Sequence, residues 1–171
     1  RLTTDIGPVI DSEAKANIER HIQTMRSKGR PVFQAVRENS EDAREWQSGT
    51  FVAPTLIELD DFAELQKEVF GPVLHVVRYN RNQLPELIEQ INASGYGLTL
   101  GVHTRIDETI AQVTGSAHVG NLYVNRNMVG AVVGVQPFGG EGLSGTGPKA
   151  GGPLYLYRLL ANRPESALAV T

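Results

Sequence analysis

The sequence predicts an α/β fold in which helices flank a mostly parallel sheet, and two observations carry this prediction. From residue 72 onward, segments typical of strands and of helices alternate along the chain. The connections between those strands are as long as a helix, and connections of that length favour parallel pairing. The 171 residues correspond to about one domain, and a hydrophobic fraction of 40% is sufficient for a buried core.

The first predicted element is a helix from Asp11 to about Lys28. Asp11 is the expected N-cap, and Gly29 is the expected stop. Apolar residues recur at helical spacing along this segment: Ala14, Ile18, Ile22 and Met25.

Strands and loops are predicted next. Residues 31–36 are typical of a short strand, and the charged, polar stretch 37–48 is typical of a surface loop. Residues 51–59 are apolar and rich in strand-forming side chains, although Pro54 indicates an edge position or a bulge. The mixed segment 62–69 is long enough for one or two helical turns.

Alternating strands and helices then follow along the chain. Pro85 falls in the first turn of a predicted helix, where its missing N–H costs little. A final helix is predicted from Pro153 to about Ala161, and no internal repeat or linker divides the chain. The alternating elements are strand 72–79, helix 82–93, strand 98–103, helix 107–116 and strand 121–125.

The charge and hydropathy pattern excludes several functional classes. Sixteen Lys and Arg against 19 Asp and Glu leave a net charge of −3, which is not typical of a nucleic-acid-binding protein. No apolar run is long enough to span a bilayer. The first residues, Arg1–Asp5, precede no apolar stretch, so we expect no signal peptide.

The chain contains no cysteine, which removes disulfides, thiolate metal sites and a cysteine nucleophile from these residues. The four histidines stand far apart with no spacing typical of metal ligands, so the sequence predicts no metal site. We expect each of them to be a surface or packing residue: His21, His75, His103 and His118.

A glycine-rich segment dominates the last third of the chain. Nine of the 18 glycines lie between Gly130 and Gly152, after a strand that ends near Asn125. Ligands often bind where such a strand opens into a loop, but glycine density alone fits an irregular surface loop equally well. A phosphate-binding loop does not fit, because Gly147 is followed by Pro148 rather than by lysine. The glycines at 140, 142 and 145 match a dinucleotide fingerprint in letters but not in setting.

The run Glu68-Val69-Phe70-Gly71-Pro72-Val73 is the second notable feature. Its carboxylate could accept hydrogen bonds from ribose hydroxyls while the ring packs on a planar group. The chemistry of these residues alone favours a plain turn with a solvated glutamate and a core phenylalanine.

Taken together and in this order, the motifs resemble the aldehyde dehydrogenase superfamily. Residues 68–72 resemble its ExFGP motif, and Ile6-Gly7-Pro8 followed by a helix also fits. Three further segments resemble the C-terminal signature of the superfamily: residues 121–125, 136–140 and 143–145.

Within the superfamily, the chain resembles L-glutamate γ-semialdehyde (pyrroline-5-carboxylate) dehydrogenases. Gly130-Ala131, ahead of Phe138, is similar to their aldehyde anchor loop. Residues 133–160 and 163–168 are most similar to bifunctional bacterial enzymes of proline catabolism, in which an FAD-dependent proline dehydrogenase module precedes this one. The resemblance therefore implies NAD as the cofactor of this module, with FAD only in the other module.

The resemblance also implies roles for five residues. Glu68 would bind the nicotinamide ribose of NAD, and Phe70 would line the same pocket. The backbone N–H groups of Gly130 and Ala131 would bind the α-carboxylate of the substrate through charge-assisted hydrogen bonds. Phe138 would pack on its methylene chain, with discrimination of about 1–3 kcal/mol per methylene.

The chain departs from the family in one respect, since the family uses a cysteine thiolate as nucleophile and a glutamate as base. Both precede the segment that resembles residues 5–8, so we expect residues 1–171 to be a single partial catalytic domain without the NAD-binding domain or any catalytic residue. The expected partners are a small aldehyde, the rest of a longer chain and further copies of it, but no nucleic acid and no membrane segment. The resemblance implies a cytoplasmic location and leaves peripheral membrane association of the longer protein open.

The sequence is also compatible with other functions. The isolated chain could be a catalytically inert module that folds or self-associates through an unpaired sheet edge. It could belong to another aldehyde dehydrogenase, or it could bind a nucleotide through the glycine-rich loop, against which the missing lysine argues.

Overall fold

The computed structural model describes residues 6–35, 49–129, 132, 135 and 138–145. The chain forms two compact units, Arg1–Asn80 and Arg81–Thr171, and each is described by itself. The first unit contains helix α1 (Ser12–Ser27) and strands β1 (Val32–Gln34), β2 (Thr55–Leu59) and β3 (Val73–Val77). The second contains helices α2 (Leu84–Ala93) and α3 (Asp107–Ser116) and strands β4 (Tyr96–Gly97), β5 (Thr99–Val102), β6 (Asn121–Val124) and β7 (Glu141–Gly142).

Helix α1 begins and ends where the sequence predicts. The Asp11 carboxylate accepts a hydrogen bond of 2.7 Å from the Ala14 amide, which satisfies one of the first-turn donors. Gly29 follows the helix with φ of +76°, a conformation that glycine adopts without steric cost. The predicted apolar stripe faces inward, and its three buried members form the core of the first unit with β2: Ile18, Ile22 and Met25.

The sheet of the first unit is mixed. Its order is β1-β2-β3, with β1 antiparallel and β3 parallel to the central strand β2. The expectation that Pro54 marks an edge position or a bulge is therefore wrong. Pro54 lies just before the first residue of β2, so it needs no ladder N–H, and its carbonyl accepts from the Ala35 amide at 2.9 Å.

The described residues of the second unit form two short strand pairs. β5 and β6 are parallel, and β4 and β7 are antiparallel. Helices α2 and α3 supply the buried residues Leu84, Ile88 and Val113, against which two residues of β5 pack. Pro85 lies in the first turn of α2, as the sequence predicts.

The α/β fold class is confirmed, and parallel pairing is found at β2–β3 and β5–β6. The antiparallel pairs were not expected from the sequence. A 3₁₀ turn at Phe62–Glu64 occupies the segment for which one or two helical turns were expected. The predicted loop 37–48 and the final helix lie outside the described residues, and the single-domain assignment stays a prediction. None of the helices in the described part of the chain is long and apolar enough to cross a membrane.

Candidate functional site

Glu68 and Phe70 lie on the segment that connects the 3₁₀ turn to β3. Val69, between them, packs against the core formed by α1 and β2. Both neighbours of Val69 are exposed, so their side chains lie outside this core. Glu68 is exposed, and Phe70 is 85% exposed, so the interpretation of Phe70 as a core residue is wrong. Within the part of the chain that the structure describes, no hydrogen bond or ion pair holds the Glu68 carboxylate.

Gly71 holds this segment closely against α1. A Cβ atom placed on Gly71 would lie 2.4 Å from Cδ1 and 3.2 Å from Cγ1 of Ile18, which is itself buried. The carbonyl of Pro72 accepts a hydrogen bond of 2.9 Å from the Thr55 amide at the start of β2. The position of Glu68 and Phe70 is therefore set by contacts on both sides of the motif.

An apolar groove of about 550 Å³ begins beside Gly71 and Pro72. Its walls include three side chains paired across the sheet: Phe33, Leu56 and Leu74. These side chains lie on the sheet face opposite α1, because the alternating positions of β2 face the core. None of the described residues that line the groove is charged, so its chemistry suits an apolar or planar group rather than a phosphate.

Two histidines that are far apart in the sequence lie in contact. Nε2 of His21 on α1 is 2.9 Å from Nε2 of His75 on β3, so one ring must donate and the other accept. Desolvation by burial lowers the pKa of His21, and the charges of Lys67 and Lys28 lower this pKa further. Desolvation also lowers the pKa of His75, with a smaller contribution from His21. The neutral form of both rings is therefore favoured.

Phe138 is the one residue of the predicted substrate-binding set that the structure describes. Its side chain is 40% exposed, so it is accessible to a ligand in the second unit. The predicted anchor residues Gly130 and Ala131 lie outside the described residues, and their role stays a prediction.

The glycines after Phe138 pack against neighbouring backbone. A Cβ atom on Gly120 would lie 2.0 Å from the carbonyl oxygen of Gly139, and one on Gly140 would lie 2.4 Å from that of Ser144. Gly139 has φ of +102°, which disfavours any other residue. The Ser144 hydroxyl accepts a hydrogen bond of 3.1 Å from the Gly97 amide, which holds this segment to β4.

Asn121 also holds this segment in place, although its residue type and position predict no separate role for it. Its side chain is 3% exposed and donates to the carbonyls of Leu98 and Gly139 at 3.0 and 2.9 Å. Its sequence signals are an asparagine at the start of a strand and the resemblance of residues 121–125 to the family signature. The contact between His21 and His75 had no such signal, because the two residues are 54 positions apart.

The structure thus brings Glu68 and Phe70 together in the first unit and describes Phe138 in the second. No cluster of three or more His, Cys, Asp or Glu side chains suitable for a metal ion occurs among the residues that the structure describes.

Comparison with known proteins identifies the family. A model of the aldehyde dehydrogenase family matches residues 1–161. The chain is 91% identical over its full length to the bifunctional protein PutA of Salmonella typhimurium, of which it spans 13%.

Solved structures agree with this match. A crystal structure of proline utilization A from Bradyrhizobium japonicum matches 91% of this chain and 15% of its own, at 52% identity and a TM-score of 0.76. A 1-pyrroline-5-carboxylate dehydrogenase from Thermus with bound NAD matches 82% of this chain and 26% of its own, at 40% identity and a TM-score of 0.67. The sequence model and the structural matches lead to one conclusion: the chain belongs to the aldehyde dehydrogenase family.

Proposed function

We propose that this chain is part of an NAD-dependent dehydrogenase that oxidises L-glutamate γ-semialdehyde to L-glutamate in proline catabolism, within a bifunctional protein of the PutA type. The observation that carries the proposal is the turn at residues 68–72, which presents an exposed carboxylate and an exposed ring on a backbone fixed by Gly71. The 91% identity to a PutA protein and the 40% identity to an NAD-bound pyrroline-5-carboxylate dehydrogenase support the choice of substrate and cofactor.

Glu68 and Phe70 are assigned to the cofactor. The Glu68 carboxylate can only accept hydrogen bonds, and the two hydroxyls of a ribose can donate two. Phe70 offers the face of an aromatic ring beside it, which suits contact with the planar nicotinamide. NAD held by these residues would supply the hydride acceptor for the substrate carbon. The chain's contribution is to hold the ribose so that the nicotinamide ring approaches the aldehyde in one orientation.

Gly130, Ala131 and Phe138 are assigned to the substrate. Two backbone amides would bind the α-carboxylate, since a carboxylate removed from water requires donors and charged acceptors form strong hydrogen bonds. The ring of Phe138 would contact the methylene chain and so favour a substrate of this length. A side chain larger than alanine at position 131 would crowd the carboxylate.

The nucleophile must come from another part of the longer protein, because this chain has no cysteine. The isolated chain is therefore expected to be inactive towards aldehydes in the presence of NAD. FAD belongs, on this proposal, to a separate proline dehydrogenase module. Turnover of the semialdehyde by the purified chain would contradict this part of the proposal.

The cofactor assignment is tested by replacing Glu68→Gln in the full-length protein. A hydrogen bond to a charged group contributes about 1.5–3 kcal/mol, so kcat/KM for NAD should fall about 10- to 150-fold. Glu19→Gln is the matched control, because Glu19 is an exposed glutamate of the same unit on α1 and has no assigned role. Equal kinetics for the two variants would refute the role of Glu68.

The substrate assignment is tested by Ala131→Leu in the same protein. The variant should raise KM for the semialdehyde and leave KM for NAD unchanged, because the added side chain occupies the position of the α-carboxylate. KM for a simple aldehyde without that carboxylate, such as propionaldehyde, should rise much less. An unaltered KM for the semialdehyde would argue against the anchor role.

A further inference from the structure

The buried amide of Asn121 forms a bridge between two segments of the second unit. Its Nδ2 atom donates to the carbonyl of Leu98, which precedes β5, and to the carbonyl of Gly139, which follows Phe138. Both acceptors are carbonyl oxygens, so this position requires two N–H donors on one atom. A carboxylate of the same shape has none and would repel both oxygens.

The two hydrogen bonds of the Asn121 side chain differ in whether the accepting carbonyl has a second donor. The Leu98 carbonyl also accepts from the backbone amide of Asn121 at 3.1 Å, so it keeps a partner when the side chain is removed. Among the described residues, the Gly139 carbonyl accepts a hydrogen bond from the Asn121 side chain alone. The close approach of Gly120 leaves the Gly139 carbonyl little room to move towards β6. Asn121 therefore fixes the direction of the peptide that begins at Gly139.

We propose that Asn121 is a positioning residue for Phe138, holding the ring in the orientation that discriminates aldehyde substrates by the length of their methylene chain. This inference rests on the proposed contact between Phe138 and the substrate. The link is direct in the chain: the Gly139 carbonyl is one residue beyond Phe138, and Gly139 adopts φ of +102°. Loss of the bond from Asn121 frees this carbonyl and the backbone that carries the ring.

The test compares Asn121→Ala with Asn92→Ala in the full-length protein. Asn92 is a matched control because its side chain also forms two hydrogen bonds in the second unit, to the Ser116 carbonyl and from the His118 amide, both at 2.8 Å. The measured quantity is the ratio of kcat/KM for L-glutamate γ-semialdehyde to that for the homologue with one methylene fewer. We expect Asn121→Ala to lower this ratio about tenfold and to leave KM for NAD unchanged, because one hydrogen bond is lost at the ring's backbone. Asn92→Ala should leave the ratio unchanged.

A double-mutant cycle with Phe138→Leu separates positioning from general destabilisation. If Asn121 acts through the ring, Asn121→Ala should have little further effect on the ratio in the Phe138→Leu background. The same tenfold effect in both backgrounds, or an equal effect of Asn92→Ala, would overturn the inference. Asn121→Ser is the second variant should the alanine protein not fold, since its shorter hydroxyl cannot bridge both carbonyls.

The outcome for Phe138 distinguishes this inference from the proposed function. A normal ratio in Phe138→Leu alone would refute the substrate contact itself. A lowered ratio in Phe138→Leu, with a normal ratio in Asn121→Ala, would refute only the role of Asn121.

Discussion

Replacing Gly71→Ala tests whether the close contact with α1 positions the motif that carries Glu68 and Phe70. The new methyl group would lie 2.4 Å from Cδ1 of Ile18, whereas unstrained carbon atoms in contact are about 3.5–4.0 Å apart. The two segments must therefore separate by more than about 1 Å or force Ile18 into another rotamer. Overpacking of this kind costs about 1–3 kcal/mol.

The assay is hydrogen exchange measured by mass spectrometry on peptides from α1 and β3 of the full-length protein. An opening free energy lowered by about 1–3 kcal/mol corresponds to exchange that is about 5- to 150-fold faster. KM for NAD should rise in parallel, because the displaced turn carries the proposed ribose ligand.

Ile18→Val provides the decisive comparison. This change deletes Cδ1, the atom nearest to the added methyl group, and by itself costs about 0.5–1.5 kcal/mol. In the Ile18→Val background, Gly71→Ala should therefore cost much less than in the unaltered protein. Gly7→Ala is the control, since a Cβ on Gly7 meets nothing within 4 Å. Additive effects, or a Gly71→Ala variant indistinguishable from Gly7→Ala, would refute the steric argument.

Three further predictions concern other contacts of the two units. The pKa values of His21 and His75 are lowered in the folded chain, so unfolding takes up protons below about pH 6.5. The protection of α1 amides against hydrogen exchange, corrected for intrinsic exchange, should therefore fall as the pH decreases from 7.5 to 5.5. His75→Gln should flatten this dependence, and an unchanged slope would contradict the shared role of the pair. Gly120→Ala should strongly increase hydrogen exchange in peptides covering residues 138–145, because its methyl group meets the Gly139 carbonyl. Gly115→Ala is the control: its methyl group meets nothing within 4 Å, so exchange in α3 should stay unchanged or become slightly slower. Asp11→Ala should destabilise the start of α1 by about 0.5–2 kcal/mol, because the hydrogen bond from the Ala14 amide is lost. Asp11→Asn keeps an acceptor oxygen, so in the same exchange measurement it should retain most of this stability.

Local patterns in the sequence were sufficient for most element positions. Helix α1 follows its predicted cap and stripe, and α3 has the bounds that its segment predicts. These features depend on residues within one or two turns of each other, so they can be read without knowing the fold. The wrong prediction at Pro54 also has a local cause: β2 begins at Thr55, the residue after the proline, so Pro54 is not part of the strand.

The candidate site was only partly accessible from the sequence. The order of the motifs indicated the family, and the residues at positions 68 and 70 were assigned to the cofactor through that resemblance alone. The resemblance implies an accessible Phe70, whereas the chemistry of residues 68–73 alone favours a buried ring. The ring is exposed because Val69, next to it, packs against the core.

Among the described residues, the amino-acid sequence by itself determined the helices and most strands, and it also determined the membership of the aldehyde dehydrogenase family, because spacing and motif order are properties of a linear chain. Only the tertiary structure decided which distant residues meet: His21 with His75, Gly71 with Ile18, and Asn121 with the Gly139 carbonyl. Those contacts depend on the distance and direction between packed elements, to within less than an ångström, and a pattern of residue types does not specify either quantity.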